Sequence, residues 1–141
     1  NLKKNGIKLK IIGNKRPFSK KLKKILSNSE KVTKFNNRLQ INLAINYGSK
    51  SELINTINFL SKNKYTFTEN NITKNLYTQN TPDPELLIRT GNTKRLSNFL
   101  LWQLAYSEIY FEKKLWPDFT IKDYNKILSN FKNLKRNFGA I

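Results

Sequence analysis

Two arginines and a serine lie close together in the second half of the chain. Arg89 and Arg95 flank a turn that contains Gly91, and Ser97 follows. Arginine suits phosphates well, because its planar guanidinium donates to two phosphate oxygens at once. The residue types and their spacing are therefore compatible with a phosphate site, whereas composition alone favours a surface loop with solvated charges.

An apolar strand and a helix are expected to position these side chains. Leu86–Ile88 is typical of a buried strand, which places Arg89 at its carboxyl end. Ser97-Asn98 resembles a helix N-cap, and the uncharged segment Phe99–Ala105 is predicted to be the helix. The start of a helix presents unpaired backbone N–H groups, so this arrangement would favour a bound phosphate.

Glu108 is the one acidic residue between Thr90 and Phe111. Magnesium takes oxygen ligands, commonly one or two carboxylates completed by phosphates and water. On residue type alone, a magnesium ligand and an exposed carboxylate at the start of a strand are both open interpretations.

The composition narrows the classes of protein to consider. The 141 residues are enough for one domain, and the absence of cysteine and histidine excludes disulfides, thiolate metal sites and histidine catalysis. With no apolar run of about 20 residues and no visible signal peptide, we expect a cytoplasmic protein. The net charge of +18 is compatible with nucleic-acid binding, but the lysines are spread along a chain also rich in Asn and Ile, so we expect no nucleic acid.

Alternating apolar segments predict an α/β fold with a mainly parallel sheet flanked by helices. The further predicted strands are Ile7–Ile12, Leu39–Ile45 and Ile109–Phe111. Two further helices are predicted at Phe18–Lys34 and, more weakly, at Ile72–Tyr77 within a polar connection. Another helix begins at Ser49 or Ser51, after a turn that Gly48 permits. The last helix begins at Asp118 or Thr120.

Several segments resemble a known family in the same order along the chain. They are IIGN (11–14), NYGSK (46–50), IRTGNTKRLSNFLLWQLAYSEIYF (88–111), LWPDF (115–119) and KRNFG (135–139). These segments are similar to the cis-prenyltransferases, of which bacterial undecaprenyl diphosphate synthase is the best-known member. The family joins isopentenyl diphosphate repeatedly to an allylic prenyl diphosphate, with Mg²⁺, to make a long polyprenyl diphosphate.

The resemblance implies specific roles for the residues singled out above. Arg89, Arg95, Ser97 and the backbone of Leu96 match the positions that hold the diphosphate of isopentenyl diphosphate. Glu108 matches the family's metal-binding glutamate. A homodimer is also implied, with Ile109–Phe111 and the last helix as candidate contacts, and contact with a membrane would come through the lipid product.

The resemblance covers only the later part of the family's sequence. The family's essential aspartate lies in an upstream H-x-x-D-G-N-x-R motif, which is not among these residues. We therefore expect residues 1–141 to be the C-terminal part of one cis-prenyltransferase domain, with an incomplete sheet and no catalytic residue of its own. We expect this part to be inactive alone.

Two departures from the family pattern affect these expectations. A usual Gly-Glu pair is replaced by Asn92-Thr93, and we expect Asn92 to tolerate the left-handed turn that glycine would make. The family's terminal arginines are replaced by the segment 135–137, which weakens any inference there.

Three hypotheses about function remain open on the sequence. The first is a part of a cis-prenyltransferase enzyme, and the second is a non-catalytic partner subunit of such an enzyme. The third is an unrelated basic nucleic-acid binder, for which affinity would fall steeply with salt.

Overall fold

All strands pair in parallel, which confirms the predicted α/β class. In residues 2–135, which the computed structural model describes, β1 (Ile7–Ile12) pairs with β2 (Leu39–Ala44), and β3 (Leu86–Arg89) pairs with β4 (Glu108–Phe111). The helices are α1 (Lys20–Thr33), α2 (Ser49–Lys62), α3 (Glu69–Thr73) and α4 (Ile121–Lys132), with a 3₁₀ turn at Trp116–Asp118. The chain divides into two units, 1–81 and 82–141, which hold one parallel pair each. No helix within residues 2–135 is both long and apolar enough to cross a bilayer.

Side chains of α1 accept hydrogen bonds from the backbone N–H groups of β1 that do not pair with β2. The N–H of Leu9 donates to the Thr33 hydroxyl (3.1 Å), and the N–H of Ile11 donates to the Glu30 carboxylate (2.8 Å). The other oxygen of Glu30 forms an ion pair with Lys15 at 2.9 Å. These bonds occupy backbone groups that an edge strand would otherwise leave open for pairing with another chain.

A buried carboxylate joins α2 to the segment after α3. Glu52 is 1% exposed, and its two oxygens accept from the Tyr47 hydroxyl and from the backbone N–H of Tyr77, both at 2.5 Å. Leu76 beside it is also buried. The helix predicted at 72–77 was therefore placed wrongly: α3 lies earlier, and residues 76–77 are held against α2 instead.

The turn between β2 and α2 also differs from the prediction. Asn46 takes the left-handed conformation (φ +48°), whereas Gly48 is extended (φ −151°) and is itself the N-cap of α2. Neither Ser49 nor Ser51 caps this helix, and Ser49 is fully buried. Asparagine tolerates left-handed backbone well, which explains why the turn does not need glycine at position 48.

Thr120, one of the two predicted starts, is the N-cap of α4 and forms a capping box with Asp123. The Thr120 side chain accepts from the N–H of Asp123, and the Asp123 carboxylate accepts in return from the N–H of Thr120 at 2.9 Å. Ile127 is the buried residue of this helix. The reciprocal bonds satisfy N–H groups that a helix start leaves open.

Acid is expected to loosen the start of α4. The Lys114 ammonium donates to both oxygens of Asp123 (2.7 and 2.8 Å) and, together with bonds from Thr120, holds the pKa of that carboxyl well below its usual range. A depressed pKa stabilises the fold above the unfolded value of about 4, and this contribution is lost as the pH falls below it. NMR of α4 amides should show increased opening below about pH 4 in the wild type. In Asp123→Asn the opening should already be present at pH 7 and change little with acid.

Candidate phosphate-binding site

Arg89 is the last residue of β3, and its guanidinium holds the following loop in place. Its Nε donates to the Thr93 hydroxyl at 2.9 Å, and its Nη1 donates to the Ser97 hydroxyl at 3.1 Å. The same Nη1 also donates to the backbone carbonyl of Arg95. The structure therefore brings together Arg89 and Ser97, two of the predicted site residues. Arg95 joins this contact through its backbone carbonyl, whereas the prediction concerned its guanidinium.

The turn at Gly91-Asn92 is left-handed, as predicted. Both residues have positive φ, +97° at Gly91 and +54° at Asn92. The Gly91 N–H donates to the carbonyl of Lys114 (2.8 Å), and that of Asn92 donates to the carbonyl of Glu112 (3.0 Å). These two bonds attach the loop to the chain that leaves β4, which lies beside β3.

The predicted helix at Phe99–Ala105 is wrong. Residues 97–106 form successive turns, and Ser97, Asn98 and Leu100 have φ of +49°, +63° and +44°. Left-handed residues interrupt a right-handed helix, because their carbonyls no longer point along its axis. The argument from the N–H groups at a helix start therefore does not apply, and side chains must provide most of the donors.

The loop is positively charged, and a small cavity lies next to Arg89. Lys94 and Arg95 have exposed side chains, and no acidic residue occurs between Thr90 and Ser107. A cavity of about 240 Å³ lies at the carboxyl end of β3. Its lining residues are Leu87, Ile88, Arg89, Thr90, Leu96 and Phe99. Leu96 thus lines the same cavity as Arg89, and the apolar lining residues lie next to the guanidinium. A contact between the Leu96 backbone and a diphosphate stays a prediction.

Glu108 is not brought to this cluster. It is the first residue of β4 and is paired with Leu86, whereas Arg89 is paired with Phe111 at the other end of the sheet. Three steps along a strand separate the two backbone positions by about 10 Å. Among residues 2–135 no group of three or more acidic, histidine or cysteine side chains could hold a metal ion.

A larger cavity of about 680 Å³ lies at the carboxyl ends of β1 and β2. Arg16, Ser51, Asn55 and Tyr77 line it, together with the stretch beginning at Gly13. Asn46, Tyr47 and Gly48 line a second cavity beside this one. The sequence analysis did not predict the bond between Arg89 and Thr93, although a hydroxyl four residues beyond an arginine was a usable signal.

Comparisons with known proteins identify the family of this chain. The Prenyltransf family model, described as undecaprenyl diphosphate synthase, matches residues 1–139. An isoprenyl transferase of Fusobacterium nucleatum is 41% identical over 141 residues, and one of Rickettsia bellii is 42% identical over 140. The Fusobacterium match covers 100% of this chain and 61% of that protein. The Rickettsia match covers 99% of this chain and 62% of that protein.

Two solved structures share the fold. A probable undecaprenyl diphosphate synthase from Campylobacter jejuni superposes with a TM-score of 0.90 at 38% identity, covering 99% of this chain and 66% of that one. Lavandulyl diphosphate synthase from Lavandula x intermedia, solved with dimethylallyl diphosphate, superposes with a TM-score of 0.87 at 31% identity. The second match covers 95% of this chain and 61% of that one. The chain spans about three fifths of the length of these relatives. Because nearly all of its own residues are matched, the chain belongs to the undecaprenyl diphosphate synthase family of prenyltransferases.

Proposed function

We propose that this chain provides the isopentenyl diphosphate site of a cis-prenyltransferase that extends an allylic prenyl diphosphate to a long polyprenyl diphosphate. The observation that carries the proposal is the hydrogen bonding of Arg89 to the Ser97 hydroxyl and to the backbone of Arg95. This contact gathers residues that are up to eight positions apart at the end of one strand. Membership of the family supplies the reaction class.

The proposed task of these residues is to bind and orient a diphosphate. Arg89 and Arg95 would offset its negative charge, while Ser97 and the backbone of Leu96 would donate further hydrogen bonds. Each charge-assisted bond contributes roughly 1.5–3 kcal/mol, so three or four of them would support micromolar affinity. The apolar residues beside Arg89 would accept the five-carbon group.

Glu108 is proposed as the carboxylate that holds Mg²⁺. A single carboxylate fits a magnesium ion whose shell is completed by substrate phosphates and water, and it does not by itself make a strong site. Bound magnesium would offset charge on a departing diphosphate. Isothermal titration should show that Mg²⁺ tightens diphosphate binding in the wild type and not in Glu108→Gln; equal tightening in both would contradict this assignment.

We further propose that residues 1–141 are the C-terminal part of one catalytic domain and are inactive alone. The family's essential aspartate belongs to a motif absent from these residues. The purified chain should bind isopentenyl diphosphate by titration calorimetry, yet form no product from radiolabelled isopentenyl diphosphate, farnesyl diphosphate and Mg²⁺. Product formation would refute the inactivity, and absence of binding would refute the proposed site.

A homodimer is proposed through β4 and the region around the start of α4. Exposed apolar side chains support it: Phe111 is 38% exposed, Trp116 75%, Ile121 79% and Tyr124 43%. Large exposed apolar side chains are enriched at interaction sites. In sedimentation equilibrium, Ile121→Lys should raise the dissociation constant of the dimer by at least about tenfold. The control is the neighbouring variant Lys122→Ala, which should leave this constant unchanged. A monomeric wild type would contradict the proposal.

The proposed location is cytoplasmic, with membrane contact only through the polyprenyl product. Cell fractionation should recover the chain in the soluble fraction, and recovery with membranes after a high-salt wash would contradict this.

A further inference from the structure

The Arg89 guanidinium has most of its donors already occupied by its own loop. An arginine side chain has five N–H donors, one on Nε and two on each Nη. Here Nε donates a hydrogen bond to Thr93, and Nη1 donates two hydrogen bonds within the same loop, to Arg95 and Ser97. Within residues 2–135 no acceptor is recorded for Nη2, so its two donors are available.

Thr93 controls this arrangement from one side of the guanidinium. Its hydroxyl lies 2.9 Å from Nε, whereas the Nη1 bonds hold the opposite edge. With contacts at two edges, rotation about the last side-chain bonds is restricted and the plane of the fork is set. Without Thr93, only Nη1 would hold the group, and the guanidinium could pivot about that atom.

The acceptor at position 93 is also neutral. The family pattern has glutamate here, and a carboxylate would form an ion pair with the arginine. A threonine hydroxyl accepts the Nε hydrogen without cancelling the charge, so Arg89 keeps its full positive charge for an incoming anion.

We propose that Thr93 is a positioning residue, which fixes the Arg89 guanidinium so that Nη2 is the donor to the substrate diphosphate. This inference rests on the proposed function, because it assumes that Arg89 binds the diphosphate. It assigns Thr93 no contact with the substrate. Its effect on affinity comes entirely through the orientation of Arg89.

Two variants separate the hydroxyl from the shape of the side chain. Thr93→Val is nearly isosteric and removes the acceptor, whereas Thr93→Ser keeps the hydroxyl. In ¹⁵N NMR of the 141-residue chain, hydrogen exchange at Arg89 Nε is expected to be about tenfold faster in Thr93→Val and close to wild type in Thr93→Ser. Calorimetry with inorganic pyrophosphate should show affinity about 3–10-fold weaker in Thr93→Val and restored in Thr93→Ser.

The two readouts distinguish the failure of each idea. Equal Nε exchange in the wild type and Thr93→Val would overturn the positioning inference, whatever the affinities. Equal pyrophosphate affinity in all three proteins would also overturn it. If the wild type binds no pyrophosphate, the proposed diphosphate site is refuted, and the role of Thr93 in substrate binding is refuted with it. The exchange data would still show whether Arg89 is bonded to Thr93.

Discussion

Arg89→Ala is expected to weaken the binding of isopentenyl diphosphate by roughly 100-fold, about 2.8 kcal/mol. The substitution removes the donors proposed for the diphosphate, and charge-assisted bonds contribute about 1.5–3 kcal/mol each. It also removes the three bonds that hold Thr93, Arg95 and Ser97 together, so the remaining donors lose their alignment. Titration calorimetry on the 141-residue chain measures the loss directly.

Two control variants test whether this loss is due to the fork of Arg89 or to charge alone. Lys122→Ala removes the same charge from an exposed position on α4 and should change affinity less than twofold. Arg89→Lys keeps the charge and loses the planar fork, so an intermediate loss of about tenfold is expected. Equal affinities in the wild type and Arg89→Ala, with both chains folded by circular dichroism, would remove the basis of the proposed function.

Gly13→Ala is expected to destabilise the 1–81 unit by about 3 kcal/mol. Gly13 has φ of +110°, and a Cβ there would lie 2.3 Å from the carbonyl oxygen of Ile45. The other nearest atoms also belong to backbone, at Asn46 and Tyr47, so no flexible side chain can move aside. For a unit of this size, such a loss lowers the melting temperature by roughly 10–20 °C.

Gly91→Ala provides a matched comparison for the steric part of this effect. Gly91 also has positive φ (+97°), yet an added Cβ would meet no atom within 4 Å. This variant therefore carries only the conformational cost, about 1–2 kcal/mol. Thermal unfolding followed by amide NMR in each unit should show the larger loss at Gly13. Equal losses would mean that the clash at Gly13 is relieved by backbone movement.

Local pattern was sufficient to predict the strands and most of the helices. Alternation of apolar and polar residues predicted β1 and β2 to within one residue, and the short apolar runs predicted β3 and β4. Strand patterns repeat every two residues and depend on burial of one face, so they are readable in a single sequence. The same reasoning placed Arg89 at a strand end, where the structure has it.

The helix predicted after Ser97 failed because its signals are ambiguous. Serine and asparagine favour helix caps and left-handed turns for the same reason, since their short polar side chains bond to nearby backbone. The apolar residues from Phe99 onward suit a helix or a series of packed turns. Tertiary packing decided in favour of turns, with left-handed residues at Ser97, Asn98 and Leu100.

The sequence by itself determined the family, the parallel α/β class and the residue types at the phosphate site. Only the tertiary structure showed that Arg89 is bonded to Ser97 and Thr93, and that Glu108 lies at the opposite end of the sheet. Residue type and order are local properties, so they can be read along the chain. The direction of a guanidinium and the distance between strand ends depend on strand register and on left-handed turns, which form only when the chain packs.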